Sequence, residues 1–325
     1  MVNPINLKEL SKKKPVFTGG HRACAACGCA TALRQITLAA ERPLVVGFAT
    51  GCMEVVSTIY PYTAWNVPYI HNAFENSAAT ISGAETAYRA LKKRGKIKED
   101  IDFIAFGGDG GTYDIGLQSL SGALERGHRM LYVCYNNEAY MNTGIQRSGA
   151  TPKYAETTTA PVGSVVPGKI QKRKDLTAIA VAHNVPYVAQ ASIHNARDLM
   201  KKVRKALDCG GPSFINVLAS CNRGWRVELK DSISICEDAV KCCAWPLYEV
   251  ENGVYTLNYD PKDKKMPVSE WLKKQGRFAH LFKGKRDDLL AEIQKDIDAD
   301  WAALLAKCEY TQKLAGVKPK TEKAE

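Results

Sequence analysis

The chain has 325 residues, 45% hydrophobic and 24% charged, and its 45 Lys and Arg against 34 Asp and Glu give a net charge of +11. Those values exclude a disordered or collagen-like chain, and no apolar run reaches the ~20 residues that a membrane helix needs. The opening Met1-Val-Asn-Pro-Ile-Asn lacks the apolar core of a signal peptide, so the sequence reads as a soluble cytoplasmic protein whose 11 cysteines point to metal or redox chemistry more than to disulfides.

In chain order, short apolar runs alternate with helical patterns. Leu44–Ala49 predicts a buried strand, and Ser77–Lys93 a helix with Ala84, Ala87, Tyr88 and Leu91 on one face. Asp102–Phe106 predicts a second strand that runs into Gly107-Gly108-Asp109-Gly110-Gly111. Tyr113–Leu124 has helical periodicity, and Met130–Tyr135 reads as a third strand. The Gly-, Thr- and Pro-rich stretch from Asn136 to about Gly168 is too long for a simple connector, which suggests function. Asp175–His183, Tyr187–Gln190, Ala196–Asp208 and Ser213–Leu218 continue as helix, strand, helix, strand. After Cys221 come a helical Glu237–Cys243 and two strands, Tyr248–Val250 and Val254–Tyr259, folded about the turn pair Asn252-Gly253. A long amphipathic helix, Asp287–Ala306, and a loose tail, Val317–Glu325, end the chain. The expected architecture is α/β, a mostly parallel sheet with helices on both faces. Residues 1–230 form the main domain and 231–325 a C-terminal extension packing on it and on partner subunits.

The positive excess sits in residues 1–100 (13 basic against 7 acidic) and 151–230 (13 against 5). Solvated helix faces such as Lys92-Lys93-Arg94 are one reading, and a surface for an acidic partner or anionic cofactor is the other. No helix-turn-helix, zinc-finger or RNA-recognition signature accompanies the charge, so nucleic acid is disfavoured.

Gly108-Asp109-Gly110, 25 residues, then Asn136-Asn137 is the most informative spacing. Glycines between a strand and a helix let an anion approach the backbone, whereas an Asp there would repel a bare phosphate. It makes sense as a ligand to a divalent cation bridging to a diphosphate, since Mg²⁺ takes oxygen donors in an octahedron. Asn137, at the end of the next strand, can offer a carbonyl to the same ion, and the following loop a backbone carbonyl. Alone, the glycine loop is equally a tight βα turn. The GDG…NN pair resembles the thiamine diphosphate motif. That resemblance implies Asp109, Asn137 and the Ala139 carbonyl as Mg²⁺ ligands, with Gly108, Gly110 and Gly111 facing the diphosphate.

Cys24-Ala-Ala-Cys27, Cys52 and the distant Cys221 could ligate zinc or an iron–sulfur cluster, and C-x-x-C alone also occurs in thiol redox motifs. Cys29 could replace a neighbour. Cys134, Cys209, Cys236, Cys242, Cys243 and Cys308 read as small buried hydrophobes. His21, His71 and His183 read as structural, and Tyr140 and Trp225 as packing residues.

Gly20-His-Arg-Ala-Cys-Ala-Ala-Cys-Gly28, Ala49-Thr-Gly-Cys-Met-Glu54, Gly107-Gly-Asp-Gly-Gly-Thr-Tyr-Asp-Ile-Gly116, Tyr140-Met-Asn-Thr-Gly144, Gln275-Gly-Arg-Phe278 and the Tyr60–Glu75 stretch together resemble the β subunit of multi-subunit pyruvate:ferredoxin oxidoreductases. The resemblance runs from about Gly20 to Phe282. It implies a thiamine diphosphate-binding fold, and one [4Fe–4S] cluster on Cys24, Cys27, Cys52 and Cys221. It places Cys52 close to the thiamine diphosphate and Asn142 at the reacting carbon as the catalytic residue. It implies oxidative decarboxylation of a 2-oxo acid with CoA as acceptor and ferredoxin or flavodoxin as electron carrier. The partners are an α subunit that supplies the activating Glu and substrate contacts, and γ and δ subunits or their fused equivalents. Glu54, Glu75 and Glu138 are therefore not given that role. Ala25-Ala26 departs from the Pro-Gly common between the first two cysteines, and Cys29 stands where many relatives have Glu or Ala. Oxalate or another 2-oxo acid is the alternative substrate. A non-catalytic electron-transfer or scaffold subunit is the alternative class, and a structural zinc the alternative metal.

Overall fold

The computed structural model describes residues 4–316; the predicted tail, Val317–Glu325, lies outside the described residues. In chain order the elements are α1 (Leu7–Leu10), α2 (Gly28–Ala39), β1 (Leu44–Ala49), α3 (Cys52–Ser57), β2 (Tyr69–Asn72), α4 (Ser77–Lys93) and β3 (Asp102–Gly108). A π-helical turn, Gly110–Ile115, leads into α5 (Leu117–Glu125), β4 (Leu131–Asn136), α6 (Leu176–Val181), β5 (Tyr187–Ser192), α7 (Ala196–Asp208) and β6 (Ser213–Leu218). The chain closes with α8 (Asn222–Trp225), α9 (Ser234–Lys241), β7 (Tyr248–Glu251), β8 (Val254–Leu257), α10 (Val268–Leu272), α11 (Ala279–Lys283) and α12 (Asp287–Leu314).

The strands form one eight-stranded sheet in the order β2-β1-β3-β4-β6-β5-β7-β8. The six strands from β2 to β5 pair in parallel, and β7 and β8 add an antiparallel edge. Six-residue runs such as LVVGFA and LYVCYN are almost wholly buried, as strands covered on both faces must be. Side chains alternate between two cores: Ile104, Phe106, Leu131 and Val133 pack into one, and Phe103, Ala105, Tyr132 and Cys134 into the other. Helix α7 shows how local sequence serves this plan. Asn195 caps it by accepting from the Asp198 amide at 3.1 Å, and Leu199, Val203, Ala206 and Leu207 bury one stripe.

Every strand and helix the periodicity predicts is present, with end shifts of a few residues except in α12, which continues past the expected Ala306 to Leu314. Helices α1, α2, α3, α8, α10 and α11 and strand β2 are not among the elements the sequence predicts. Strand β2 is half-exposed and four residues long, too short for a period to show. Residues 137–175 hold no named helix or strand; isolated bridges tie Tyr140 to Gln146 and Thr157 to Ala160. Lys169 Nζ donates to the carbonyls of Thr151, Gln171 and Lys172 from within this loop. The segment after residue 231 adds β7 to β5 and lays α12 beside β8, so it extends the same sheet.

Because β1 passes first to β2 on one side and then to β3 on the other, the carboxyl edge between β1 and β3 is a switch point, where doubly wound sheets leave a crevice. Thr50–Cys52 follows β1, Gly108–Gly111 follows β3, Asn136–Asn142 follows β4, and Cys221 follows β6. All the predicted site residues except Cys24 and Cys27 therefore come from strand ends at that one edge.

Candidate cofactor and metal site

A cleft of about 30 Å³ opens at this edge, lined by Thr50, Cys52, Gly108–Gly111, Asn137, Ala139, Tyr140 and Asn142 among others. It forms one wall of a site. Gly108 is the open part, since a side chain built there would meet nothing within 4 Å. Gly110 is closed: a Cβ would lie 2.3 Å from the Tyr140 ring, whose hydroxyl donates to the Gly110 carbonyl at 2.9 Å. Gly111 presses on the Phe74 carbonyl. The glycines thus serve two ends, backbone access for a ligand and close packing of the loops beneath it.

Asp109 is 1% exposed. Burial pushes its carboxyl up to about 8, although the Ser148 hydroxyl donates to its Oδ2 at 2.5 Å and favours the charged form. Across from it, Asn136 fixes the start of the next loop: its Nδ2 donates to the Tyr113 hydroxyl at 2.9 Å, and its Oδ1 accepts from the Glu138 amide at 3.0 Å. Glu138 then takes a left-handed backbone (φ +68°), unusual for a residue with a side chain. The turn faces the Asn137 amide and the Ala139 carbonyl towards Asp109. The amide atom on that side lies 2.9 Å from Asp109 Oδ1 and 3.0 Å from the Ala139 oxygen. As nitrogen it donates to both. As oxygen it completes a set of three oxygens that a cation satisfies once the Asp109 carboxyl is ionised. Neighbouring oxygens of a Mg²⁺ octahedron with bonds of about 2.0–2.1 Å are themselves roughly 2.9 Å apart, so the donor set fits that ion in type and spacing.

Asn142 is exposed at the lip of the cleft. Cys52 opens α3 on the β1 side; burial, then Cys221 and Cys27, push its thiol up to about 12. Cys221 caps α8 and its sulfur accepts from the Gly224 amide. Cys27 lies against the buried Cys29, whose thiol is the main cause that brings it down to about 6. Gly28 abuts the backbone of Ser220, bringing the Cys27 turn beside Cys221. Cys24 is exposed, and all four are free thiols. They stand within electrostatic range of one another. Among the described residues, however, no group of three or more His, Cys, Asp or Glu side chains is gathered to hold a metal.

Several partners escaped sequence reasoning. Ser148 and Thr151, the latter donating to the Glu138 carbonyl at 2.7 Å, lie inside the long loop that was singled out only for its length. Trp225 does more than pack: its Nε1 donates to the Asn137 carbonyl at 2.8 Å. Tyr140 likewise is a hydrogen-bond donor to the glycine loop. His71 stands 3.0 Å from the Thr50 hydroxyl and 3.5 Å from Glu54; His183 bonds Ser121, and His21 stacks on Phe17. A larger cavity of about 300 Å³ between α12 and the β5–β7 edge contains none of the predicted site residues.

The family model of the thiamine pyrophosphate enzymes' C-terminal, cofactor-binding domain matches residues 49–217, the span that supplies this cleft. Pyruvate synthase subunit PorB of Thermotoga maritima is 52% identical, covering 95% of this chain and 98% of that protein. PorB of Methanocaldococcus jannaschii is 51% identical over 88% and 95%. A ketoisovalerate oxidoreductase subunit, VorB, of Pyrococcus abyssi is 42% identical over 89% and 92%. Among solved structures, the 2-oxoglutarate:ferredoxin oxidoreductase of Magnetococcus marinus aligns with a TM-score of 0.51 at 17% identity, covering 73% of this chain and 81% of that one. That match speaks to the fold.

Proposed function

The chain belongs to the thiamine pyrophosphate enzymes and, within them, to the PorB-type subunits of 2-oxoacid:ferredoxin oxidoreductases, and from that membership we propose that it is the β subunit of a pyruvate:ferredoxin oxidoreductase. The reaction is pyruvate, CoA and oxidised ferredoxin to acetyl-CoA, CO₂ and reduced ferredoxin. The observation that carries the reading is the convergence of the Asp109 carboxylate, the Asn137 amide and the Ala139 carbonyl beside the open backbone at Gly108.

Thiamine diphosphate, when bound, supplies the electron sink for loss of CO₂ from a 2-oxo acid. Asp109, Asn137 and Ala139 would hold Mg²⁺; of the three glycines expected to face the diphosphate, Gly108 offers the open backbone, while Gly110 and Gly111 pack the loops beneath it. Asn142, free at the lip, donates a hydrogen bond to oxygen charge developing on the substrate. Cys52 shares this cleft, and with Cys24, Cys27 and Cys221 it ligates one [4Fe–4S] cluster. The thiols suit such a cluster in number and kind. Residues 18–27, outside any helix, are the part that closes on it.

The resemblance to this family implies that the activating Glu and most substrate contacts come from an α subunit. Further subunits (γ and δ, or fused equivalents) and ferredoxin or flavodoxin carry the electrons onward. Residues 1–230 supply every ligand, and 231–325 form an extension that braces them. Among the described residues no helix is long and apolar enough to cross a membrane. The similarity to a ketoisovalerate oxidoreductase subunit makes branched 2-oxo acids the second reading. Turnover of the assembled complex across a panel of oxo acids separates the two.

Cofactor analysis of the anaerobically purified complex tests the site. One thiamine diphosphate, one Mg²⁺ and a dithionite-bleachable cluster are expected per chain. Absence of thiamine diphosphate with Mg²⁺ supplied sinks the reading, and colourless zinc protein sinks the cluster. Robust CO₂ release by the isolated chain would remove the need for the α subunit.

A further inference from the structure

The motif Gln275-Gly-Arg-Phe278 was recognised in the sequence without a role. It lies far along the chain from every proposed ligand, yet it ends beneath the metal site. Arg277 is 2% exposed and forms a buried ion pair with Glu138. Its Nε and Nη2 both donate to Gln275 Oε1, at 2.9 and 2.7 Å. Its guanidinium lies 4.3 Å over the Trp225 ring, the same ring that donates to the Asn137 carbonyl. The other Glu138 oxygen faces Arg173 Nη1 at 3.1 Å, and Arg173 in turn lies over Trp245.

Glu138 is the residue between two proposed Mg²⁺ ligands and holds the left-handed backbone that points both at Asp109. A residue with a side chain persists there only when its surroundings over-determine it. They do: its amide is bonded to Asn136, its carbonyl to Thr151, and its carboxylate is hydrogen-bonded to Arg277 and within ion-pair distance of Arg173. A buried ion pair is weak evidence of stabilisation, because desolvation consumes most of the attraction; its attested use is to fix one arrangement over others. The neighbouring contacts are equally specific. The Gly276 amide donates to the Arg226 carbonyl, the Glu156 amide donates to the Arg277 carbonyl, and Met141 fills the space that a side chain at position 224 would need.

We infer that Arg277 is a positioning residue for the metal site: by pinning Glu138 in its left-handed turn, and Trp225 against Asn137, it holds the Asn137 oxygen and the Ala139 carbonyl on a single Mg²⁺. The inference rests on the assignment of Asp109, Asn137 and Ala139 as the Mg²⁺ ligands. Arg277 touches neither the ion nor the substrate. Outer groups of this kind shift metal affinity by roughly 10–100-fold when removed.

The test uses the complete complex, purified anaerobically, stripped of Mg²⁺ with chelator and titrated with MgCl₂ at fixed thiamine diphosphate. Bound thiamine diphosphate is measured by equilibrium dialysis well below the melting temperature. Wild type should saturate with Mg²⁺ and Asp109→Asn should not. Arg277→Met should need about tenfold more Mg²⁺ or beyond, and Arg277→Lys, which keeps charge but loses the planar fork, an intermediate amount. Lys202→Met removes another ion pair with a buried cation, on α7 with the partly buried Asp198, and controls for general destabilisation. It should lower the melting temperature while leaving the Mg²⁺ requirement at the wild-type value. If both Arg277 variants titrate as wild type does, or Lys202→Met shifts the requirement as far, the positioning role is overturned. If wild type itself shows no Mg²⁺-dependent binding, the ligand assignment fails, and the failure appears before any variant is compared.

Discussion

Asp109, Asn137 and Ala139 are almost wholly buried, and their polar atoms already face one another across about 3 Å. At the same sheet edge Cys52 and Cys221 are half-buried, Cys24 is exposed, and the thiols are not gathered. The oxygen site is built by backbone: a left-handed residue, two strand ends and a glycine loop fix its shape before any ion arrives. The proposed cluster cysteines stand on separate segments, one of them a loop, so a cluster held by them would set their final arrangement. Coupling of metal binding to local ordering is the usual behaviour of such thiolate sets. One edge thus holds a preorganised half and a half completed by its ligand.

The comparison can be broken most sharply at Asp109. Asp109→Asn should cost at least about a hundredfold in Mg²⁺-dependent thiamine diphosphate binding, more than an outer-shell change does, while iron content stays near wild type; dialysis and metal analysis on one sample read both. Cys221→Ser is the mirror experiment. It should strip most of the iron yet move Mg²⁺ affinity by no more than about twofold, as separate sites behave. An equal loss of both would make the edge one cooperative unit.

Acidity gives a third and smaller effect. With the Asp109 carboxyl raised to about 8 in the metal-free chain, Mg²⁺ must displace a proton below that pH, so affinity should fall by up to about tenfold per pH unit from 8 to 6. The sign for folding is the reverse. A raised carboxyl contributes stability that is fully present below the ordinary value near ~4 and is lost as pH rises through 8. The increase in melting temperature produced by MgCl₂ should therefore be larger at pH 9 than at pH 6.

On the sulfur side, cluster-free protein should be alkylated by iodoacetamide at Cys27 with a rate midpoint near pH 6, while Cys52, pushed up to about 12, stays slow at pH 7. Peptide mapping distinguishes them, and equal rates would deny the asymmetry between the two thiols. The smallest change is Ser148→Ala. It removes a bond that favours the Asp109 carboxylate, and should weaken Mg²⁺ about threefold, moving the pH profile upward by a fraction of a unit.

The preorganised half was also the more legible in sequence. Apolar runs that stay buried on both faces announce the parallel strands, and the glycine and asparagine positions follow from where strands end. The cysteines were legible as types but their arrangement was not, since spacing along the chain says nothing of how Cys24 and Cys221 approach. The supports were the least visible. Glu138 reads as one more charged residue until its φ is known, and Arg277 meets it from 139 positions away. Ser148 sits in a loop whose fold depends on buried contacts such as Lys169 to the Thr151 carbonyl, which no local period encodes. A coarse alternation predicts a scaffold; pairings across the chain remain hidden until the scaffold closes.

That late pairing has a consequence for synthesis. The strands up to β6 are complete when residue 218 has been made, but the side chain beneath Glu138 is Arg277. A nascent chain that has left the ribosome as far as β6 thus holds the sequence of all six parallel strands and still lacks the brace under its ligand loop. Domains form as units from the amino terminus during translation, so if Arg277 positions the Mg²⁺ ligands as proposed, tight Mg²⁺ retention would await its emergence near the end of synthesis. Cofactor capture would then report that translation has run nearly to its end.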